Sequence, residues 1–165
     1  REQAGQELAS YWCSQITPEN VAKFDELRDL YLGVSETAQN AVDQQCQKKV
    51  TITDLVTNND PNGAFDTTSQ CTINASSTKI TCTATVTAND TIKKDLASFS
   101  STTVTLQMSM QTTSSKLTSK GHDLGEVATV DVDRSGTGKT QFTVPYDPTW
   151  GEYYKVDVKS FFPNE

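Results

Sequence analysis

The sequence predicts an α+β protein: an N-terminal helix or helical hairpin packed on an antiparallel β-sheet or sandwich of about seven strands, held by two disulfides. Three observations carry that expectation. Residues 1–49 are rich in Ala, Gln, Glu and Leu, which favour helix. Residues 50–165 are dominated by Thr, Val and Ser, with turn-forming residues at intervals. Four cysteines, Cys13, Cys46, Cys71 and Cys82, are spread over both portions. No flexible linker separates the portions, so residues 1–165 read as a single domain with a helical segment (1–49) and a β portion (50–165).

In the helical segment, Leu8, Tyr11 and Trp12 fit one face of a short helix. Thr17-Pro18-Glu19 reads as a second start, with a cap residue, a proline suited to the first helical position and an acid in the first turn. From there Val21, Phe24, Leu27, Tyr31, Val34, Ala38 and Ala41 recur every three or four residues, an amphipathic stripe that needs a core to pack on. One unbroken helix over 18–48 would be about 45 Å long. It would hold Cys46 far from Cys13, and a disulfide needs Cα atoms within about 7 Å. Either the chain reverses near Gly33-Val34-Ser35, or these cysteines pair elsewhere. Gly33 suits a helix C-terminus and Ser35 an N-cap, which favours the reversal.

The β portion alternates. Ile80, Cys82, Ala84 and Val86 are interleaved with threonines, as are Val104 and Leu106. Met108 and Met110, then Ala128, Val130 and Val132, and finally Tyr154, Val156 and Val158 continue the pattern. Period two with one apolar side indicates antiparallel sheet with one wet face. Turn signals fall at Asn58–Gly63, Lys120–Asp123, Ser135–Gly138 and Asp147-Pro148. A hairpin folded about Ala75–Thr78 sets Ile73 against Ile80 and Cys71 against Cys82, which predicts a cross-strand disulfide between them. The other pairings of four cysteines stay open at this level.

Composition excludes several functions. The net charge is −7 and the pI about 4.7, with no basic run, which opposes nucleic acid and anionic membranes. No apolar stretch is long enough to span a bilayer. Membrane association is therefore expected only weakly, or through an upstream anchor removed before Arg1. One histidine and no CxxC spacing leave no recognisable metal set, so no metal or other cofactor is expected. Asp131-Val132-Asp133-Arg134-Ser135-Gly136 imitates the start of a calcium loop, but Phe142 stands where a bidentate Glu belongs. Ser135–Thr140 imitates a phosphate loop, but Asp133 replaces its first glycine and strand-like residues follow, so no nucleotide is expected. His122 lacks a nucleophile to activate and reads as a polar turn residue; no catalytic residue is assigned and the chain is expected not to be an enzyme.

The remaining signals concern contact. Scattered, even-numbered cysteines in a Ser/Thr-rich chain indicate an oxidising compartment, secreted or periplasmic in type. Asn74-Ala75-Ser76 and Asn89-Asp90-Thr91 are glycosylation sequons at Asn74 and Asn89. Tyr146, Trp150 and Tyr153 are candidate binding-face aromatics, Trp150 the one expected to be most exposed. Threonine runs at Thr51–Thr53, Thr81–Thr87 and Thr103–Thr105 suggest hydroxylated sheet faces. A helix leading into an antiparallel sheet with a disulfide is similar in architecture to the soluble part of a pilin-type surface subunit. That likeness implies a removed N-terminal anchor; the methylated segment defining such subunits is not in this sequence. The expected function is an extracytoplasmic interaction or assembly module at the cell surface, with a protein or glycan partner. A small secreted toxin or effector and a pilin-like subunit are the alternatives.

Overall fold

The computed structural model describes residues 2–114 and 121–165. Helix α1 spans Glu2–Gln15. Thr17 then precedes a 3-10 turn at Pro18–Lys23, which runs into α2, Phe24–Gly33. α3 covers Glu36–Asn58 and a single turn, α4, covers Pro61–Ala64. The reversal favoured by Gly33 and Ser35 is present. α2 ends at Gly33, and the Ser35 hydroxyl caps α3 by accepting the Ala38 N–H at 3.2 Å. α1 and α2 thus fold back on α3. Cys13 is bonded to Cys46 with Cα atoms 6.0 Å apart, and Cys46 sits at a kink in α3. Trp12 fixes the hairpin from inside: its indole N–H donates to the Leu27 carbonyl at 2.7 Å, and its ring lies against Tyr31.

Six strands follow among the described residues, not about seven, and the helical segment reaches Ala64 rather than stopping at 49. The difference lies in residues 50–58, where the Thr51-Ile52-Thr53 run is helix rather than a sheet-face threonine ladder. Strand propensity is a weak preference that packing overrides. Ile52 and Thr53 are buried, and the Thr53 and Thr57 hydroxyls bond to the carbonyls one turn back, Lys49 and Thr53, at 2.8 and 2.9 Å.

The strands are β1 (Phe65–Ile73), β2 (Lys79–Ala88), β3 (Ser101–Gln111), β4 (His122–Val132), β5 (Thr137–Pro145) and β6 (Tyr153–Asn164), with a short α5 (Asp90–Leu96) between β2 and β3. They form two antiparallel sheets, ordered β1-β2-β5 and β4-β3-β6. The register expected for the first hairpin is the one present: Ile73 pairs with Ile80, and Cys71 with Cys82 at a Cα separation of 4.0 Å, disulfide-bonded. The β4–β5 connection passes the chain from one sheet to the other through a turn at Gly136, whose φ of 88° suits glycine. Ile80, Ala84 and Val86 of one sheet and Val104, Leu106, Met108 and Met110 of the other are buried in the same core, which continues under the helices through Ile52, Phe24 and Trp12. The helical layer meets this β unit on the β6 side, where Phe24 packs on Phe162. Of the expected turn at Lys120–Asp123, Lys120 lies outside the described residues, and His122 already begins β4.

Candidate functional site

Along β3 the side chains alternate strictly between buried and half-buried. The inward set is apolar; the outward set is Ser101, Thr103, Thr105, Gln107, Ser109 and Gln111. Because β3 is the central strand, both neighbours place polar residues beside that row. Ser109 lies between Asp123 of β4 and Lys155 of β6. Gln107 lies between Glu126 and Asp157, and Gln111 lies opposite Tyr153.

The two halves of this face differ. Toward Ser101 it satisfies itself: Asn164 donates to the Ser101 and Thr103 hydroxyls at 3.1 and 2.9 Å, and Thr103 donates to Asp131 at 3.2 Å. Toward Gln111 it opens into a trough of about 370 Å³, lined by Gln107, Ser109, Gln111, Asp123, Lys155 and Asp157. The side chains of Gln107, Ser109 and Gln111 make no hydrogen bond to any described residue. On the walls, Lys155 pairs with Asp157 at 3.5 Å, and Asp123 accepts the Gly125 N–H at 2.8 Å. Lys159 of β6 reaches Glu126 of β4 at 2.8 Å, an ion pair that spans β3 at the closed end.

Local irregularities frame the trough. The β3–β4 register shifts between Leu106 and Gln107 and again between Met108 and Ser109. Each shift leaves one extra residue on β4, first Val127 and then Leu124. The β3–β6 register shifts between Thr105 and Leu106. Such bulges bend the flanking strand and raise its twist, and they are common beside binding sites.

The expected aromatic site divides. Tyr146 is buried, and its hydroxyl donates to the Gly151 carbonyl at 2.7 Å. Trp150, expected to be the most exposed anchor, is half-buried: His122 stacks on it with centroids 3.8 Å apart and planes 3° from parallel, and Tyr146 meets it edge-on at 6.1 Å. The physical reason is the tight turn that places it. Asp147 accepts the Thr149 N–H and hydroxyl at 2.9 and 2.8 Å. These two bonds from Thr149 hold the Asp147 carboxyl below its ordinary pKa, and the nearby His122 adds to the effect. Gly151, at φ 93°, then brings the turn so close that a Cβ would lie 2.2 Å from the Gln111 carbonyl. Tyr153 is 49% exposed and shares the outer face with the trough. Tyr154, expected inward, is exposed, and its hydroxyl accepts the Cys71 N–H at 3.2 Å.

The other sequence motifs lie in local turns and caps. Asp133 accepts hydrogen bonds from the Ser135 hydroxyl and N–H within its own turn, and the hydroxyl bond above all lowers its pKa. Ser135 and Gly136 lie in a turn, and Thr137–Thr140 already belong to strand β5. Among the described residues no cluster of three or more His, Cys, Asp or Glu is placed to hold a metal ion. Asn74 is exposed and accepts the Thr78 and Lys79 N–H groups at the hairpin tip. Asn89 caps α5 through Ile92 N–H and donates to the Gly63 carbonyl at 2.7 Å.

The row Gln107, Ser109 and Gln111 was not singled out by the sequence. Its signal was present in part, since the outward residues of β3 change from Thr to Gln and Ser after Thr105. Comparison with family models, with curated proteins and with solved structures returns no match.

Proposed function

We propose that this chain is an extracytoplasmic, non-enzymatic interaction or assembly module that meets its partner with the outer face of the β4-β3-β6 sheet. The observation that carries this reading is the row Gln107, Ser109 and Gln111: half-buried polar side chains, aligned on one strand, above an open trough and without hydrogen-bond partners among the described residues. Side chains of this kind usually find a partner when they are withdrawn from water, and a ligand can supply one. The two disulfides point to an oxidising compartment outside the cytoplasm. No described helix is long and apolar enough to cross a membrane.

The test is binding of the labelled chain to the outer surface of cells from its source, compared with a Gln107→Ala/Ser109→Ala/Gln111→Ala variant. Three lost hydrogen bonds at about 1 kcal/mol each predict binding weakened about a hundredfold, with unchanged thermal unfolding. Equal binding by the two proteins removes the sheet face from the reading.

A further inference from the structure

We infer that the trough is a subsite for a neutral, polyhydroxylated chain, an oligosaccharide lying along β3 between the Lys159–Glu126 ion pair and the ring of Tyr153. The inference rests on the interaction reading above and names the ligand class for the same face.

Side-chain chemistry selects the class. Gln107 and Gln111 each offer a planar amide with donor and acceptor together, and Ser109 offers a hydroxyl. Asp123 and Asp157 add carboxylate acceptors, and Lys155 adds a donor. Vicinal hydroxyl groups, each a donor and an acceptor, complement such a mixed set. An anionic ligand does not, because a single lysine faces two carboxylates in the lining and the chain carries a net charge of −7.

Geometry sets the orientation. Same-face residues on a strand recur about every 7 Å, so Gln107, Ser109 and Gln111 form a straight ladder of polar contacts rather than a ring around one compact group. Opposite Gln111, on the same face, Tyr153 presents a ring that is 49% exposed. An exposed tyrosine ring at the end of a polar row is suited to stacking against the C–H face of a sugar. At the other end, the ion pair from β6 to β4 crosses the face and limits the ligand's reach. The ladder stands on the central strand of a sheet, with the extra residues of the bulges on β4 and β6, rather than on a loop, which fixes it before the ligand arrives.

The experiment is calorimetric titration of the intact, disulfide-bonded protein with neutral β-glucan, chitin-derived and mannan-derived oligosaccharides, with a heparin oligosaccharide as the anionic control. An extended-peptide display library is panned on the same protein. The expected result is binding of at least one neutral oligosaccharide, weakened about fivefold each by Gln107→Ala and Gln111→Ala and by Tyr153→Ala, and unchanged by Thr72→Ala on the other sheet. Preference for the heparin oligosaccharide would overturn the neutral class. Peptide enrichment that depends on Gln107 and Gln111, without sugar binding, would overturn the oligosaccharide while leaving the interaction face standing. Binding of neither probe would overturn both.

Discussion

Removing the two disulfides separately should destabilise the protein unequally, with Cys13–Cys46 the more important. The pairs close loops with sequence separations of 33 and 11 residues. In the chain-entropy account, cross-linking removes conformations from the unfolded state as the logarithm of loop length. The predicted losses are about 3.7 kcal/mol for Cys13–Cys46 and about 2.8 kcal/mol for Cys71–Cys82, a gap of about 1 kcal/mol. The surroundings widen that gap. Cys71 and Cys82 also face each other in a continuous ladder from Phe65–Ala88 to Ile73–Ile80, which keeps the strands together without the bond. α1 is joined to α3 by packing and by a few bonds, such as the Lys49 ammonium donating to the Cys13 carbonyl at 3.1 Å. The gap should therefore be at least as large as the entropy alone gives. Urea unfolding of the Cys13→Ala/Cys46→Ala and Cys71→Ala/Cys82→Ala proteins, followed by circular dichroism, measures it. A larger loss for the Cys71–Cys82 variant would refute the reasoning.

Two further outcomes are expected. The Tyr31 hydroxyl donates to Asp43 at 2.7 Å, and burial, followed by Asp43, pushes its pKa from 10.0 up to about 12. Between those values the unfolded chain has lost a proton that the folded chain keeps, so this contribution is complete below pH 10.0 and disappears as pH rises to about 12. Tyr31→Phe should flatten the decline of the urea midpoint over that range, and an unchanged slope would exclude Tyr31 as its source. Expressed through a eukaryotic secretory pathway, the chain should carry glycan at Asn74 in preference to Asn89. Both side chains are exposed, but the Asn89 amide nitrogen donates to the Gly63 carbonyl at 2.7 Å, a shorter bond than the 3.3 Å one from the Asn74 amide nitrogen to the Thr78 hydroxyl at the hairpin tip. Site-resolved mass spectrometry checks the order, and higher occupancy at Asn89 would contradict it.

The parts of this fold legible in the sequence are the parts decided by neighbours along the chain. The Cys71–Cys82 hairpin could be read because a period of two and a short turn leave one register that puts Ile73, Ile80 and both cysteines on one side. The helical reversal could be read because Gly33 and Ser35 are local stop and start signals, and disulfide geometry demands a fold between Cys13 and Cys46. α5 carried comparable signals, an Asn89 cap, Lys93 and Lys94 in the last turn, and Ile92 and Leu96 four apart; its cap was read as a sequon instead.

Residues 50–58 show where local signals stop deciding. Their β-branched composition favours a strand, yet burial of Ile52 against the rest of the core makes them the end of α3. The candidate site belongs to the same class. Alternation identifies which side of β3, β4 and β6 is polar, and so the material of the trough was in the sequence. It does not say that β3 lies between β4 and β6, because that order depends on long-range pairing. Nor does it say that His122 covers Trp150, or that Tyr153 comes to lie beside Gln111. Outside residues 50–58, local backbone preference and periodicity determined the main elements and their wet faces. Tertiary packing alone decided which wet faces adjoin, and therefore where a ligand could bind.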